Sequence, residues 1–344
     1  MILDGQQTQA ILQAAAALKR GELVGLPTET VYGLAADAGN EAAVALIFKT
    51  KGRPADHPLI VHVASAVGAR RFASVVPDFA NSLMDAFWPG PLTLILPRQA
   101  GVGAVAAGGQ DSIGLRCPSH PVALALLEAC EAQGIAGLAA PSANLFGRVS
   151  PTTAAHVQSE LGADLLVLDG GACEVGIEST IIDCTRGAPV LLRPGHITRL
   201  QIAATCGLAV LGKDDVMEGV TGAAPRASGT LESHYAPNAK VRLMSLQAMT
   251  TALAVLGPHA NNLAVWSQKH PQAAETTDES EDRGGHGSGV LWRQMPHKAV
   301  DAAHALFGIL RGFDARGARQ IWIETPPDTP EWEGVRDRLQ RAAA

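Results

Sequence analysis

The chain has 344 residues, 47% of them hydrophobic, and carries a formal net charge of −6. That length favours two domains over one, and the apolar fraction is enough to fill substantial cores, which excludes a disordered chain. The negative balance excludes a generally basic nucleic-acid coat and leaves only a local patch for RNA or phosphate.

The first residues, with acidic Asp4 among Gln and Ala, lack the basic start and apolar core of a signal peptide. No apolar run reaches the ~18 residues of a membrane span, so the expected location is the cytoplasm, with no membrane partner. Thr8 to Arg20 places Ile11, Leu12, Ala15 and Leu18 at helical spacing, and Gly21 is suited to end that helix. Leu23 to Leu26 reads as a strand closed by Pro27, and Glu41 to Lys49 as a helix with Val44, Ile47 and Phe48 on one side. Leu59 to Val63 reads as a strand. Ala80 to Phe87 is a helix broken by Trp88-Pro89-Gly90-Pro91, and Leu92 to Leu96 and Ser112 to Arg116 are strands. Pro121 to Gln133 is an apolar helix with Pro at its start, and Ser150-Pro151-Thr152-Thr153 resembles another helix start. Leu165 to Asp169 is a strand, and Ser179 to Cys184 with Val190 to Arg193 pattern as a hairpin.

From Pro194 to about Lys240 the pattern loosens, and Ala223 to Pro237 (AAPRASGTLESHYAP) reads as a linker. Beyond it Val241 to Met244, Asn262 to Trp266, Val290 to Arg293 and Gln320 to Glu324 read as strands, and Pro296 to Phe313 and Pro330 to Arg341 as helices. Gln272 to Gly289 is polar, charged and Gly-rich and reads as a surface loop. The expected division is 1–195 as the catalytic domain, 196–240 as a linker or lid, and 241–344 as a small α/β domain. Strands and helices mix irregularly, which indicates an α/β or α+β layer fold. The chain shows no internal repeat. Its five cysteines, Cys117, Cys130, Cys173, Cys184 and Cys206, form no C-x-x-C pair and suit core packing as reduced thiols.

Two nucleotide look-alikes fail on their context. The Gly101-Val-Gly103 loop lacks a following helix and the acidic residue that a dinucleotide site needs. Gly207 to Asp214 nearly spells a P-loop, but its middle is an apolar strand and Asp214 stands where Ser or Thr would hold magnesium. The basic loop is more informative. Lys49, Lys51 and Arg53 lie close together, with Gly52 between two of them, and such a cluster can neutralise a polyphosphate. A solvated surface turn is the plain alternative. His62, between Val61 and Val63, reads equally as a core histidine or a ligand. Thr28-Glu29-Thr30 and Ser142-Ala143-Asn144 read either as turn chemistry or as oxygens and amides offered to a substrate. The chain shows no Ser-His-Asp elbow, no H-E-x-x-H and no paired carboxylates at a defined spacing. Donors and cations without a nucleophile suit phosphoryl or nucleotidyl transfer, which runs on positioning and charge stabilisation.

LPTETVYGL, Lys51-Gly52-Arg53, DHPLIVHV, SIGLRCP, APSAN and GIESTI, in this order, resemble the Sua5/YrdC/YciO family, and ASGTLESHYAP with the C-terminal extension resembles its long form. The resemblance is dense over residues 10–195, clear at 227–237 and thin beyond. It implies a twisted, largely antiparallel mixed sheet with helices, a basic cavity and a C-terminal domain of Rossmann-like topology. It implies formation of threonylcarbamoyl-adenylate and pyrophosphate from L-threonine, bicarbonate or CO2 and ATP with Mg2+. The product would feed the tRNA threonylcarbamoyl-transferase machinery at adenosine 37. Carried over by motif, Thr30, His62, Arg116, Ala140 (through its backbone) and Ser179 would bind threonine. Lys51, Arg53, His57, Ser112, Ser142, Asn144, Ser150, Arg193 and Tyr235 would bind ATP, His57 standing where the family often has Asn. Tyr235 lies in the linker, so the linker would close as a lid. Lys51 and Arg53 would stabilise transition-state charge, with no general base assigned and no metal ligand among the side chains. The alternatives are a non-catalytic double-stranded RNA or tRNA binder of the same fold, and a carbamoyl-transfer module like that of hydrogenase maturation proteins, whose acylphosphatase and zinc-finger segments are missing here.

Overall fold

The computed structural model describes residues 1–212, 215, 224–229, 234–271 and 289–344. They fall into two compact units, Met1–Phe146 with Ser150–Leu231, and Gly147–Val149 with Glu232–Ala344. The stretch expected as a linker over 196–240 is therefore divided: its described part up to 229 goes with the first unit and its part from 234 with the second. Lys213 and Asp214 of the P-loop look-alike, residues 216–223 and 230–233 of the expected linker, and the polar stretch 272–288 lie outside the described residues.

The first unit runs β1 (Ile2–Asp4), α1 (Thr8–Lys19), β2 (Val24–Leu26), β3 (Gly33–Asp37), α2 (Glu41–Lys51), β4 (Ile60–His62), α3 (Ala66–Ala69), α4 (Asp78–Phe87) and β5 (Leu92–Pro97). It continues with β6 (Ser112–Arg116), α5 (Pro121–Ala132), β7 (Leu138–Ala139), α6 (Ala154–Leu161), β8 (Leu166–Asp169), β9 (Thr180–Asp183), β10 (Val190–Arg193), α7 (Arg199–Cys206) and β11 (Leu211–Gly212). The strands form one sheet in the order β1-β8-β2-β3-β7-β4-β6-β5-β9-β10-β11. The expected mixed sheet is present, but antiparallel pairings do not predominate: among the described residues five are parallel and five antiparallel. Strands β1 and β3 and helix α7 had no sequence signal. The β3 stretch GLAAD has no β-branched or aromatic residue, and α7 buries only Ile202.

Two cores sandwich this sheet. On one face α2, α4, α6 and α7 cover Leu34, Val61, Leu94, Leu115 and Ile182. On the other, α1 and α5 cover Val24, Leu26, Ala35 and Leu138. Beyond that second cover the same face carries a small cluster of Ile95, Ile181, Val190 and Leu192, packed against Ile60, Ala224 and Ala227. An extended strap, not a helix, lies there. Between strap and sheet is a narrow cleft lined by Ile60, Thr93, Ile95, Ser112, Gly114 and Ser228 among others.

The second unit contains β12 (Lys240–Met244), α8 (Leu246–Leu256), β13 (Leu263–Ser267), β14 (Val290–Gln294), α9 (Ala299–Ala315), β15 (Gln320–Glu324) and α10 (Glu333–Ala343). Its four described strands are all parallel in the order β12-β15-β13-β14, a second, parallel α/β sheet in which the last strand lies between the first and second, unlike the 3-2-1-4 order of a Rossmann half. Helix α8 carried no clear period because its apolar residues ring the helix while only Met249 and Leu253 are buried. The five cysteines are free thiols, four of them buried. Among the described residues no helix is long and apolar enough to cross a membrane.

Candidate active site

Strand register builds the floor of the site. His62 on β4 pairs with Arg116 on β6, and the antiparallel pairing of Leu94 with Leu115 puts Thr93 of β5 next in the row. Thr93 pairs with Ile181 of β9, and Arg193 of β10 also falls opposite Ile181 because the β9–β10 register shifts between Leu191 and Arg193. Without that irregularity the hairpin count would put Arg193 on the opposite face. A bulge is a common way to re-aim one side chain beside a site. One face thus carries His62, Arg116, Thr93 and Arg193 in line.

The turn after β2 supplies the second wall. Thr28 Oγ1 donates to the Val31 carbonyl at 2.6 Å and accepts from the backbone N–H groups of Thr30 and Val31 at 3.2 Å each. This is the ordinary hydroxyl-turn chemistry, so for Thr28 the plain reading holds. It aims Glu29 and Thr30 at Arg116. Arg116 donates from Nη1 to Thr30 Oγ1 at 2.8 Å and from Nε to the Gly90 carbonyl at 3.2 Å, and its Nη2 lies 2.7 Å from Glu29 Oε1. All three side chains are buried. Burial alone would raise the Glu29 carboxyl, but the Arg116 charge and contact, with nearby backbone N–H groups of Glu29 and Ser119, lower it. Burial and then the Arg116 charge push His62 down to about 3, so its imidazole is neutral.

Ser179 joins the same row. Its hydroxyl shares a 2.7 Å hydrogen bond with Thr93, and Arg193 donates to it from Nη2 at 3.1 Å. Arg193 also grips the Ser179 carbonyl with Nε at 3.1 Å and Nη2 at 2.9 Å. Thr30, His62, Arg116 and Ser179, expected together, are brought together. Ala140 lies beside them but its N–H is spent on the Ile60 carbonyl at 3.0 Å, leaving its carbonyl as the backbone group to offer.

The cations expected on phosphate are arranged around the strap. Helix α2 is capped at its start by Asn40, which accepts from Ala43 N–H at 3.1 Å, and ends at Gly52, whose left-handed φ of 63° turns the chain between Lys51 and Arg53. Arg53 then reaches from Nη2 to the Pro58 carbonyl at 2.8 Å and to Ser228 Oγ at 3.1 Å, with its guanidinium 5.6 Å from the Phe146 ring centre. Arg193 Nη1 donates to the Ser228 carbonyl at 3.0 Å. One strap residue therefore meets both arginines. Lys51 is different: it is buried and donates to the carbonyls of Ser142, at 2.5 Å, and Asn144. Burial first, then Arg53, lowers its ammonium to about 7. His57 stacks edge-on against Phe146 at 5.5 Å, with its imidazole lowered by partial burial and Arg53.

Of the remaining expected residues, Ser112 lines the cleft at the start of β6. Ser150 is buried and donates to Glu178 Oε1 at 2.5 Å. The start of α6 is not at Pro151 but at Ala154, with Thr153 as its cap accepting from His156 N–H at 3.2 Å. Tyr235 belongs to the second unit, where it is buried, 5.5 Å from Phe307 between ring centres and beneath the Arg338 guanidinium. Sequence reasoning missed Glu29 as the Arg116 partner, Thr93, Ser228 and the Gly90 carbonyl. Glu29 had been marked only as a turn or substrate-gripping oxygen, and Thr93, a lone hydroxyl in an apolar strand, carried a usable signal.

Around the strap the side chains offered are the cations Arg53 and Arg193 and the Ser228 hydroxyl, a donor set that suits an anion. Among the described residues no group of three or more His, Cys, Asp and Glu gathers as a metal cage.

The family model described as telomere recombination (Sua5_yciO_yrdC) matches residues 16–195, and the model described as threonylcarbamoyl-AMP synthase, C-terminal domain, matches residues 197–344. A Bacillus subtilis protein named threonylcarbamoyl-AMP synthase is 37% identical over 97% of this chain and 92% of its own. A Schizosaccharomyces pombe protein of the same name is 34% identical over 98% of this chain and 89% of its own. Among solved structures, P. abyssi Sua5 complexed with L-threonine superposes with a TM-score of 0.83 at 34% identity, covering 98% of this chain and 95% of that one.

Proposed function

The chain belongs to the Sua5/YrdC/YciO family, and from that premise we propose how its site makes threonylcarbamoyl-AMP from L-threonine, bicarbonate or CO2 and ATP. It is an enzyme of the nucleotidyltransferase type. The observation that carries the reading is the one-face row of His62, Arg116, Thr93 and Arg193, with Ser179 and Thr30 bonded into it. It stands beside the two arginines that meet Ser228.

In this reading Arg116, Thr30, His62, Ser179 and the Ala140 carbonyl hold threonine. Its ammonium gives up a proton to solvent, and the free amine adds to CO2 and releases a second proton to form a carbamate. A carbamate oxygen then bonds to the α-phosphorus of ATP as the bond to the bridging oxygen breaks, and pyrophosphate leaves. ATP enters as its magnesium complex, the metal neutralising phosphate charge. Arg53 and Arg193 face the departing phosphates, and Lys51 orders the Ser142–Asn144 loop under the nucleotide. Ser112, Ser150 and His57 complete the nucleotide set in the first unit. The expected setting is the cytoplasm, where the adenylate would pass to a tRNA-modifying transferase, and a local tRNA contact belongs to the same reading.

The test is incubation of the full chain with L-threonine, bicarbonate and labelled ATP. Pyrophosphate release that requires threonine is the expected result, and release independent of threonine, or none, overturns the reading.

A further inference from the structure

Arg116 Nη2 and Glu29 Oε1 stand 2.7 Å apart as a buried ion pair, while the second carboxylate oxygen of Glu29 and Nδ1 of His62 are buried without a hydrogen-bond partner among the described residues. Natural interiors satisfy nearly all such atoms, so two of them on neighbouring side chains beside a buried ion pair point to a partner that arrives from outside. The charges in the pocket narrow its chemistry. Arg116 is positive, Glu29 is held negative and His62 is neutral, so the three sum to zero. A lone carboxylate ligand would leave Glu29 uncompensated. A zwitterion supplies an acceptor for the guanidinium and N–H donors for the carboxylate.

Glu29 is also held in place before any ligand binds. Its carbonyl accepts from Val175 N–H at 2.7 Å, and the next two N–H groups along the chain are bound by Thr28 Oγ1. A backbone pinned on both sides leaves little side-chain freedom to lose on binding. Glu29 is only 3% exposed, so its carboxylate lies inside the site and not at its rim.

We propose that Glu29 is the specificity-determining residue that receives the α-ammonium of the amino-acid substrate, while Arg116 takes its carboxylate. The assignment rests on the threonine reading of this site. It requires the enzyme to discriminate against a ligand that has the carboxylate, hydroxyl and methyl of threonine but no amine.

(R)-3-Hydroxybutyrate is that ligand. Titration calorimetry on the full chain compares it with L-threonine in the wild type, in Glu29→Gln and in Glu29→Asp, with thermal melts alongside. Glu29→Gln is expected to weaken threonine roughly ten- to hundred-fold, the worth of a hydrogen bond to a charged group, and to leave the analogue's affinity equal or better. Glu29→Asp keeps the charge and retains part of the preference. If Glu29→Gln weakens both ligands by the same factor, Glu29 serves only to hold Arg116 and the assignment falls while the threonine reading stands. A wild-type chain that binds no threonine sinks both. If Glu29→Gln shows no folded transition, Glu29→Asp decides: loss confined to threonine supports the assignment, and equal loss for both ligands overturns it.

Discussion

Lys51 donates to the carbonyl of Ser142 at 2.5 Å from a fully buried position, and the same ammonium reaches the Asn144 carbonyl. The first cation of the K-x-R motif is therefore a tie between α2 and the Ser142–Asn144 loop, and only its remaining donor is left for a phosphate. Burial, then the Arg53 charge, lowers its pKa from 10.5 to about 7, with Glu160 opposing. Between those values the unfolded chain binds a proton that the folded chain does not, so stability rises with pH through that window. The slope approaches about 1.4 kcal/mol per pH unit and is absent in Lys51→Met. Denaturation curves at pH 7, 8 and 9 for both proteins check this, and a flat wild-type profile contradicts it.

Anionic nucleotide beside Lys51 favours its charged form. Nucleotide binding at pH 8 is therefore expected to take up a proton, in the wild type but not in Lys51→Met. Calorimetry in two buffers of different ionisation enthalpy measures the uptake directly.

His62 runs at the acid end. Its folded pKa of about 3 lies below its ordinary 6.5 because of burial and Arg116, so the unfolded state binds more protons between those values. Stability is unaffected above 6.5 and falls as pH drops toward 3. His62→Asn is expected to flatten part of that acid limb in a melting-temperature series. The same neutrality means that no limb of the activity profile between pH 6.5 and 8 belongs to His62.

Arg116→Ala leaves Glu29 buried without its counter-charge, a loss of about 3–5 kcal/mol when one member of a buried pair is removed. Chemical denaturation should show that loss together with the absence of threonine binding. Arg116→Lys restores a point charge but not the two directed N–H bonds to Thr30 and Gly90, so it is expected to recover stability more than threonine affinity.

Arg53→Ala separates nucleotide chemistry from simple RNA binding. Arg53 reaches Pro58 and Ser228 at the edge of the cleft, so its loss is expected to remove nucleotide binding altogether. If the cleft instead served a duplex RNA, the variant would bind RNA somewhat more weakly, with a smaller salt slope, and bind ATP as before. Parallel titrations with ATP and with duplex RNA at two salt concentrations distinguish the outcomes.

Much of the chemistry was legible in the residues because it depends on local motifs. Thr30, Lys51, Arg53, Ser142 and Asn144 stand in short stretches whose residue types announce donors and cations, whereas Arg116 and Ser179 were expected only through the family resemblance. The long, periodic helices α1, α2 and α5 and the strands β5, β6, β9 and β10 were equally visible. Strand β3 and helices α7 and α8 were not, because their residues lack the β-branched or one-sided apolar pattern that marks such elements.

The sequence by itself determined which groups the site has and the order in which they come. It also determined that polar turns follow apolar strands, since that pattern is written in neighbouring residues. Only the tertiary structure decided which of those groups meet. Strand order and register put His62 and Arg116 side by side, a one-residue shift between β9 and β10 brought Arg193 onto their face, and Ser228 came back across the cleft to both arginines. The same pairing made Glu29 the partner of Arg116, although the two are far apart in the chain and nothing local links them. Such contacts are set by non-local hydrogen-bond ladders and by the need to neutralise buried charge, and a linear reading of residue types contains neither.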